Sequence, residues 1–397
     1  MTSIALPRGY RMAGVYAGVK RNQDKLDLGL IVSDRPATAA GVYTQNLVFA
    51  APVKLDRSRT PSDRIRAVVV NSGNANACTG ERGDRDAARM AELAAGVAGA
   101  TADQGLVLST GVIGEFLPME KIEAGVAAAA AHLAADEDAL VAAARAMLTT
   151  DTRHKLASRV VNIAGEEVRI VGMAKGAAMI GPRMATMLGL ILTDAALAPA
   201  TAQQALSAAV EDSFNCISVD GHMSTNDTVL LLANGAAGPR LSDGDLKRFQ
   251  DALDEVCGEL ARAIPADGEG ATHLVTINVR GCATRASAHR IAKTVAESPL
   301  VKTAIAGADP NWGRIVSAAG YAGVPFNPAG VTLRVNGIQL YHAGSPVDFD
   351  ADRVSNSIRD EYETRVELDF SEGGASVRFW TTDLTAEYVR LNADYHT

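Results

Sequence analysis

The chain has 397 residues, of which 47% are hydrophobic and 21% are charged, and its formal net charge is −8. This length supplies material for two or three domains, and the composition is that of an ordinary globular protein. The negative charge and the lack of a Lys/Arg-rich run argue against nucleic acid or an anionic membrane as a partner. No signal peptide and no membrane-spanning stretch of roughly 18 apolar residues is predicted, so we expect a cytoplasmic protein.

Cysteine and histidine usage predicts neither a disulfide framework nor a zinc site. The four cysteines are far apart and show no CxxC spacing, which is typical of reduced thiols in the cytosol. The histidines do not cluster, so we expect no metal. The cysteines are Cys78, Cys216, Cys257 and Cys282.

Hydrophobic patterns alternate short strands with helices but show no regular βαβ repeat, which indicates an α+β protein. The predicted strands are 28–32, 40–43, 51–55, 66–71, 105–109, 158–163, 168–171, 187–192, 273–280, 331–340, 365–370 and 375–381. The predicted helices are 83–99, 120–147 as one helix or as two that break near 135–136, 198–212, 243–264 and 287–296, with further helical character after Pro118. Loops are predicted at 71–80, 239–245 and 343–352.

The junction between Ala185 and Thr186 is the most informative feature of the chain. It lies between a Gly-Pro turn and the apolar run 187–192, a layout that suits self-cleavage before Thr186. The freed residue would carry a hydroxyl nucleophile and an α-amine, whose ordinary pKa of about 8 makes it a usable base. The alternative is an ordinary strand threonine.

Two further segments carry groups suited to acyl chemistry. Thr110-Gly111 follows a predicted strand and precedes a predicted helix, so its backbone N–H groups suit an oxyanion hole; a plain turn is the alternative. Lys175 precedes a glycine-rich stretch that lacks the order of a phosphate loop. It suits a substrate carboxylate, or else is a solvated surface lysine.

Two loop motifs complete the candidates. Glu269 lies between two glycines, where its carboxylate suits an ammonium group; an exposed acid in a turn is the alternative. The segment 309–313 is predicted to form a tight loop around Trp312. Lining a pocket is the alternative role for this loop.

Several motifs together resemble the bacterial ornithine acetyltransferase (glutamate N-acetyltransferase, ArgJ) family over essentially the whole chain. They are Val70-Asn-Ser-Gly-Asn-Ala-Asn76, Ser109-Thr-Gly-Val-Ile-Gly114, Met147-Leu-Thr-Thr-Asp-Thr152, Ala174-Lys-Gly-Ala-Ala-Met-Ile180, Met184-Ala-Thr-Met-Leu188, Asp267-Gly-Glu-Gly-Ala271, Asp309-Pro-Asn-Trp-Gly-Arg314 and Tyr388-Val-Arg-Leu-Asn-Ala-Asp-Tyr395.

The resemblance implies a division into two chains and a set of site residues. Cleavage between Ala185 and Thr186 would give an α chain (1–185) and a β chain (186–397) that stay associated, as an α2β2 heterotetramer. Thr186 would be the nucleophile, and Thr110 and Gly111 the oxyanion hole. The implied substrate contacts are Thr152, Lys175, Thr186, Glu269, Asn392 and Thr397. The implied fold is DmpA/ArgJ-like, with stacked β layers between helices, layered as in Ntn hydrolases but connected differently.

The implied activity is acetyl transfer from N2-acetyl-L-ornithine to L-glutamate through an acetyl-Thr186 ester, a step of arginine biosynthesis that needs no cofactor. Some family members also use acetyl-CoA, and the sequence leaves this open. Two alternatives remain. A DmpA-type self-processing aminopeptidase would release amino acids without transfer, and an amino-acid-binding protein would not cleave itself.

Overall fold

The structure is a computed structural model that describes residues 4–163, 165–181, 187–238 and 241–394. Its strands are β1 (Tyr10–Val15), β2 (Leu28–Tyr43), β3 (Ser62–Asn74), β4 (Gly105–Val112), β5 (Lys155–Ile163), β6 (Glu166–Lys175), β7 (Leu188–Thr193), β8 (Thr228–Ala233), β9 (Leu274–Cys282), β10 (Thr332–Val335), β11 (Ile338–His342), β12 (Ser345–Pro346), β13 (Glu363–Asp369) and β14 (Ala375–Thr382).

Its α-helices lie mainly between these strands. They are α1 (Ala51–Arg59), α2 (Gly80–Val97), α3 (Met119–Ala131), α4 (Glu137–Ala146), α5 (Pro199–Glu211), α6 (Asp243–Ala263), α7 (Arg285–Glu297), α8 (Pro299–Ala306), α9 (Trp312–Gly320), α10 (Ala351–Asp360) and α11 (Ala386–Asp394). Within the described ranges, no helix combines the length and the apolar character needed to cross a membrane.

The N-terminal sheet is built around the long strand β2. Its strand order is β4-β3-β2-β8-β7-β6-β5, with β1 also beside β2. The register of β2 against β3 jumps from Val32–Ala67 to Ala37–Ile65, so extra residues of β2 face a single residue of β3. Such an insertion bends a strand and increases its twist. Residues 28–33 of β2 pair with β1, and residues 38–43 pair with β8.

The bend in β2 stacks the two halves of this sheet face to face. Side chains of β3, β4, β6, β7 and β8 share one buried cluster that includes Val68, Leu108, Met173, Leu190 and Leu232. The opposite face of β3 and β4 packs against α2 and α3, and the opposite face of β6, β7 and β8 packs against α5 and α6. The layers are therefore helix, sheet, sheet and helix. The predicted α+β class with stacked β layers between helices is confirmed.

Strand β7 illustrates why a strand that is covered on both faces has an apolar sequence. Leu188, Leu190 and Leu192 point into the cluster between the sheet halves, whereas Ile191 packs towards α5 and α6. Side chains of a strand alternate between faces, and both faces of β7 are covered. The continuous run at 187–192 is therefore the pattern expected of a fully buried strand.

A second sheet forms a separate core from C-terminal residues. Its order is β12-β11-β10-β13-β9-β14, and its apolar side chains pack with those of α7, α8 and α9. Trp312 stacks on Tyr341 at 5.4 Å between ring centroids, and Asn311 caps α9 by accepting a hydrogen bond from the Arg314 amide. The segment 309–313 therefore leads into a helix that packs on this core.

Several predicted elements differ from the structure. Residues 51–55 form the start of α1 rather than a strand, because Pro52 occupies the first turn of a helix, where its missing N–H costs nothing. The predicted strands 28–32 and 40–43 are one strand, β2. The run 331–340 is the β10–β11 hairpin, and the predicted loop 343–352 contains β12 and the start of α10. Strands β1 and β8 and helices α8, α9, α10 and α11 were not among the predicted elements.

Candidate active site

Thr110 and Gly111 lie at the end of β4, within the strand rather than in a turn into a helix as predicted. Thr110 is only 4% exposed. Gly111 has φ +134°, and a Cβ there would lie 2.3 Å from the carbonyl carbon of Gly73. The backbones of β3 and β4 thus approach so closely at this point that only glycine fits.

Lys175 meets Thr110 from the other half of the sheet. Its Nζ donates a hydrogen bond to Thr110 Oγ1 at 3.3 Å. Four strands separate β4 from β6 in the sheet order, which would place them about 24 Å apart in a flat sheet. The contact exists because the halves stack. Lys175 is 2% exposed, so its interpretation as a solvated lysine is wrong, and burial lowers its pKa.

A buried network of ion pairs lies next to Lys175. Asp151 Oδ1 accepts hydrogen bonds from Lys155 Nζ (2.7 Å) and from the Gly176 amide (2.6 Å). Lys155 Nζ also donates to Asp267 Oδ2 at 2.7 Å. Burial acts to raise the pKa of Asp151, but the positive charges of Lys175 and Lys155 outweigh it and hold this pKa below its ordinary value. Asp151 is therefore ionised beside Lys175.

The same network fixes Thr152 and the segment that carries Glu269. The Thr152 amide donates to Asp267 Oδ2 at 3.1 Å, and the Thr152 hydroxyl donates to Asp267 Oδ1. Two residues further on, the Glu269 amide donates to the Ala177 carbonyl at 2.9 Å. Thr152, Glu269 and the end of β6 are thereby tied together.

Glu269 and Asn392 are also in direct contact. Asn392 Nδ2 donates to Glu269 Oε2 at 3.0 Å. The Tyr388 hydroxyl donates to Asp220 Oδ2 at 3.2 Å, so helix α11 is held against the rest of the protein. The carboxylate of Glu269 is near enough to Lys175 for its negative charge to act on the pKa of that lysine.

Ala185, Thr186 and Thr397 lie outside the described residues, so the structure does not test their predicted roles. The chain on either side of the junction is well anchored. On the N-terminal side, the amides of Met179 and Ile180 donate to Asp220 at 2.7 and 2.9 Å. On the C-terminal side, the Met187 amide donates to Asp227 Oδ1 at 3.2 Å.

The structure thus brings Thr110, Lys175, Thr152, Glu269 and Asn392 into one connected region. Four acids and a lysine that hold this region together were not predicted from the sequence: Asp151, Lys155, Asp267, Asp220 and Asp227. Asp151 and Asp267 lie in the family motifs at 147–152 and 267–271, but the spacing of these motifs does not indicate that Lys155 pairs with both acids.

A cavity of about 450 Å³ opens beside this region and is lined by residues that include Lys20, Arg145, Asp151 and Thr152. Its volume is in the range of small-molecule sites. Among the residues described, no group of three or more His, Cys, Asp or Glu side chains is arranged to hold a metal ion.

Comparison with known proteins identifies the family. The sequence model of the ArgJ family matches residues 11–397. The chain belongs to the ArgJ family. It is 48% identical to the arginine biosynthesis bifunctional protein ArgJ of Rhodopirellula baltica, over 100% of this chain and 97% of the relative. The protein of the same name from Thermotoga neapolitana is 45% identical over 99% of this chain and 100% of its own length.

A solved structure of the family matches about half of the chain. A crystal structure of the arginine biosynthesis bifunctional protein ArgJ of Bacillus halodurans is 38% identical in sequence with a TM-score of 0.50. The match covers 51% of this chain and 96% of the solved chain. The solved chain is therefore about half as long as this one, whereas the curated ArgJ relatives match it along its full length.

Proposed function

We propose that this ArgJ family enzyme transfers the acetyl group of N2-acetyl-L-ornithine to L-glutamate through an acetyl ester on Thr186. The observation that carries the proposal is the hydrogen bond between Lys175 and Thr110. The two residues lie on opposite halves of the sheet, close to the start of β7. The names of its relatives place those proteins in arginine biosynthesis, and family membership brings that role to this chain.

The first step is hydrolysis of the peptide bond between Ala185 and Thr186. Water adds across the bond, Ala185 gains a carboxylate, and Thr186 gains a free α-amine. The α chain would then be 1–185 and the β chain 186–397. The half-length chain of the Bacillus halodurans structure supports this division, since cleavage near the middle of an ArgJ protein produces chains of that size.

The second step forms the acetyl-enzyme. Thr186 Oγ attacks the acetyl carbonyl while its proton passes to the α-amine of the same residue. The developing oxyanion is held by Thr110 and Gly111. Because the Thr110 hydroxyl already accepts a hydrogen bond from Lys175, its own proton is free to be donated to the oxyanion. The carbon–nitrogen bond then breaks, the leaving amine takes the proton, and ornithine departs.

The third step returns the acetyl group to a new amine. The α-amine of glutamate attacks the ester carbonyl, the Thr186 oxygen leaves and regains its proton, and N-acetyl-L-glutamate is released. We assign substrate binding to Thr152, Lys175, Glu269, Asn392 and Thr397. Glu269 suits an amino group of the substrate, and the ammonium of Lys175 suits a carboxylate.

A second acetyl donor is also proposed. The relatives are named bifunctional, which favours acetyl-CoA as an alternative donor that acetylates the same Thr186. The glutamate half-reaction is then unchanged, and free CoA is the first product. The two chains remain associated, and we propose α2β2 as the assembly.

The proposal is tested by acetyl exchange with labelled N2-acetyl-L-ornithine. Label should appear in N-acetyl-L-glutamate, and double-reciprocal plots at several glutamate concentrations should be parallel, as a covalent intermediate requires. Thr186→Ala should remain one uncut, inactive chain. Release of free acetate or amino acids without transfer would instead support the aminopeptidase alternative, and an uncut, inactive wild type would support a binding protein.

A further inference from the structure

Asn226 and Asp227 immediately precede β8 and lie between the two halves of the site. Asn226 is buried, and its Nδ2 donates hydrogen bonds to the carbonyls of Ala75 (2.7 Å) and Ser109 (2.8 Å). The Ser109 carbonyl belongs to the same peptide group as the Thr110 N–H. Since a peptide group is planar, Asn226 fixes the orientation of the peptide group that leads into Thr110.

Asp227 holds the other half of the site. Its Oδ1 accepts a hydrogen bond from the Met187 amide at 3.2 Å, and the next residue, Thr228, donates its amide to the Met187 carbonyl at 3.2 Å. The backbone of Met187 is therefore held on both sides. Met187 follows Thr186 directly in the sequence, so these contacts hold the backbone of the residue next to the proposed nucleophile.

Besides the Met187 amide, the Thr44 side chain and the Ser224 backbone lie near the Asp227 carboxyl. It is 1% exposed and forms no ion pair with the described residues, and its Oδ2 is buried without a hydrogen bond from them. Burial raises its pKa well above the ordinary value, although the Met187 amide, Thr44 and the positive charge of Lys175 act in the opposite direction. Burying a polar atom without a partner is unfavourable for stability, so this placement points to a role beyond stability.

We propose that Asp227 is a positioning residue for the nucleophile, and that Asn226 and Asp227 together set the distance between Thr186 and the oxyanion hole at Thr110. The proposal rests on the acyl-transfer function proposed above. Asn226 holds β4 through the Ser109 carbonyl, and Asp227 holds Met187, the residue that precedes β7. A shift of either strand moves nucleophile and oxyanion hole apart.

Asp227→Ala and Asp227→Asn test this role. Asn keeps an oxygen acceptor for the Met187 amide, whereas Ala removes it. In folded, cleaved Asp227→Ala enzyme we expect kcat to fall about a hundredfold, the size of effect that a misplacement of about 1 Å produces, with KM for N2-acetyl-L-ornithine unchanged within about threefold. Asp227→Asn should keep kcat within about tenfold of wild type.

The matched control is Asp194→Ala. Asp194 is also fully buried, lies at the other end of β7, and accepts a hydrogen bond from the Arg169 amide at 2.8 Å.

The control variant should lose stability but keep its kcat per folded molecule. If Asp227→Ala folds and turns over like wild type, Asp227 does not position the nucleophile. If folded Asp227→Asn is as slow as the Ala variant, the carboxyl acts chemically and the positioning role is wrong. Should Asp227→Ala not fold, replacement of Met187 by its α-hydroxy acid removes the N–H donor alone. The same loss of kcat is expected there, and an unchanged kcat would overturn the proposal.

Measurements on the wild-type enzyme distinguish a failure of the positioning role of Asp227 from a failure of the proposed function. A wild type that shows neither cleavage nor an acetylated β chain contradicts the proposed function itself. A wild type that shows both, beside an Asp227→Ala enzyme with the same kcat, contradicts only the positioning role.

Discussion

The Thr110 hydroxyl is placed to act as more than a strand side chain. It is buried, and it accepts a hydrogen bond from the Lys175 ammonium, which polarises the hydroxyl and leaves its proton available. A neutral hydroxyl supported in this way is a stronger donor to a developing oxyanion.

Thr110→Ala should therefore slow turnover by about a hundredfold to a thousandfold, the usual cost of losing one oxyanion donor. Cleavage before Thr186 should be largely intact. Thr110→Ser keeps the hydroxyl and is the matched control, with turnover near that of wild type. Steady-state kinetics on cleaved enzyme measure the effect, and unchanged turnover in Thr110→Ala would remove this side chain from the mechanism.

Lys302 makes a pH-dependent contribution to stability. It is buried, and its Nζ donates to the Val219 carbonyl (2.6 Å) and to Thr382 Oγ1 (2.9 Å). Burial lowers its pKa to about 8 from 10.5. Between these two values the unfolded chain keeps the proton that the folded chain has lost, so this group makes the stability rise with pH.

Lys302→Met removes that dependence. The free energy of unfolding of wild type minus that of the variant should increase between about pH 8 and about pH 10. Denaturant unfolding of both proteins at the two pH values measures it. A difference that stays constant, or that decreases, would show that the folded-state pKa of Lys302 is not lowered.

At the scale of single elements, the end of β4 depends on a glycine. Gly111 has positive φ, and a Cβ would meet the backbone of Gly73 at 2.3 Å and that of Asn74 at 2.5 Å. Gly114, three residues later, also has positive φ (+87°), but nothing lies within 4 Å of a Cβ there. Substitution of Gly114 by alanine therefore measures the cost of backbone strain alone, whereas the same substitution at Gly111 adds the cost of a steric clash.

Gly111→Ala should lower the free energy of unfolding by about 3 kcal/mol or more and abolish turnover, because the clash forces β3 and β4 apart at the proposed oxyanion hole. Gly114→Ala should cost only about 1 kcal/mol and leave turnover close to wild type. Thermal or denaturant unfolding and kinetics on both variants measure the difference. Equal effects of the two substitutions would mean that the close approach at Gly111 is unimportant.

Most elements with strong periodicity were predictable from the sequence. The apolar run of β7 and the helical spacing of α2 and α6 are examples, because their patterns reflect the surfaces that they bury. Residues 51–55 were predicted wrongly because their apolar composition suits a strand, whereas Pro52 favours the first turn of a helix. Thr110 and Gly111 were located at a strand end, but their position inside β4 depends on pairing with β3.

At the scale of the whole molecule, the site exists because β2 bends. Thr110 and Lys175 were both selected from the sequence, but their contact was not predictable, because it depends on the register jump between Val32 and Ala37. The burial of Lys175 and the Lys155–Asp151–Asp267 network arise from the same stacking. From the sequence, only the family resemblance indicated that Thr152, Glu269 and Asn392 belong to one site.

The same stacking predicts how the two proposed chains behave after cleavage. Residues 170–175 of β6 pair with 188–193 of β7, and residues 38–43 of β2 pair with 228–233 of β8. Both ladders join residues that cleavage would assign to different chains, and the buried clusters also combine them. The α and β chains should therefore co-purify and unfold in one cooperative transition. Separation of the chains under native conditions would contradict this interpretation.

Intact mass spectrometry of the purified protein, with and without N2-acetyl-L-ornithine, tests the central claim most directly. We expect two polypeptides under denaturing conditions, the second beginning at Thr186, and one added acetyl group on that second chain after incubation with donor alone. Subsequent addition of L-glutamate should remove the acetyl group. An uncut polypeptide of 41.4 kDa that exchanges acetyl groups at full rate would contradict the account.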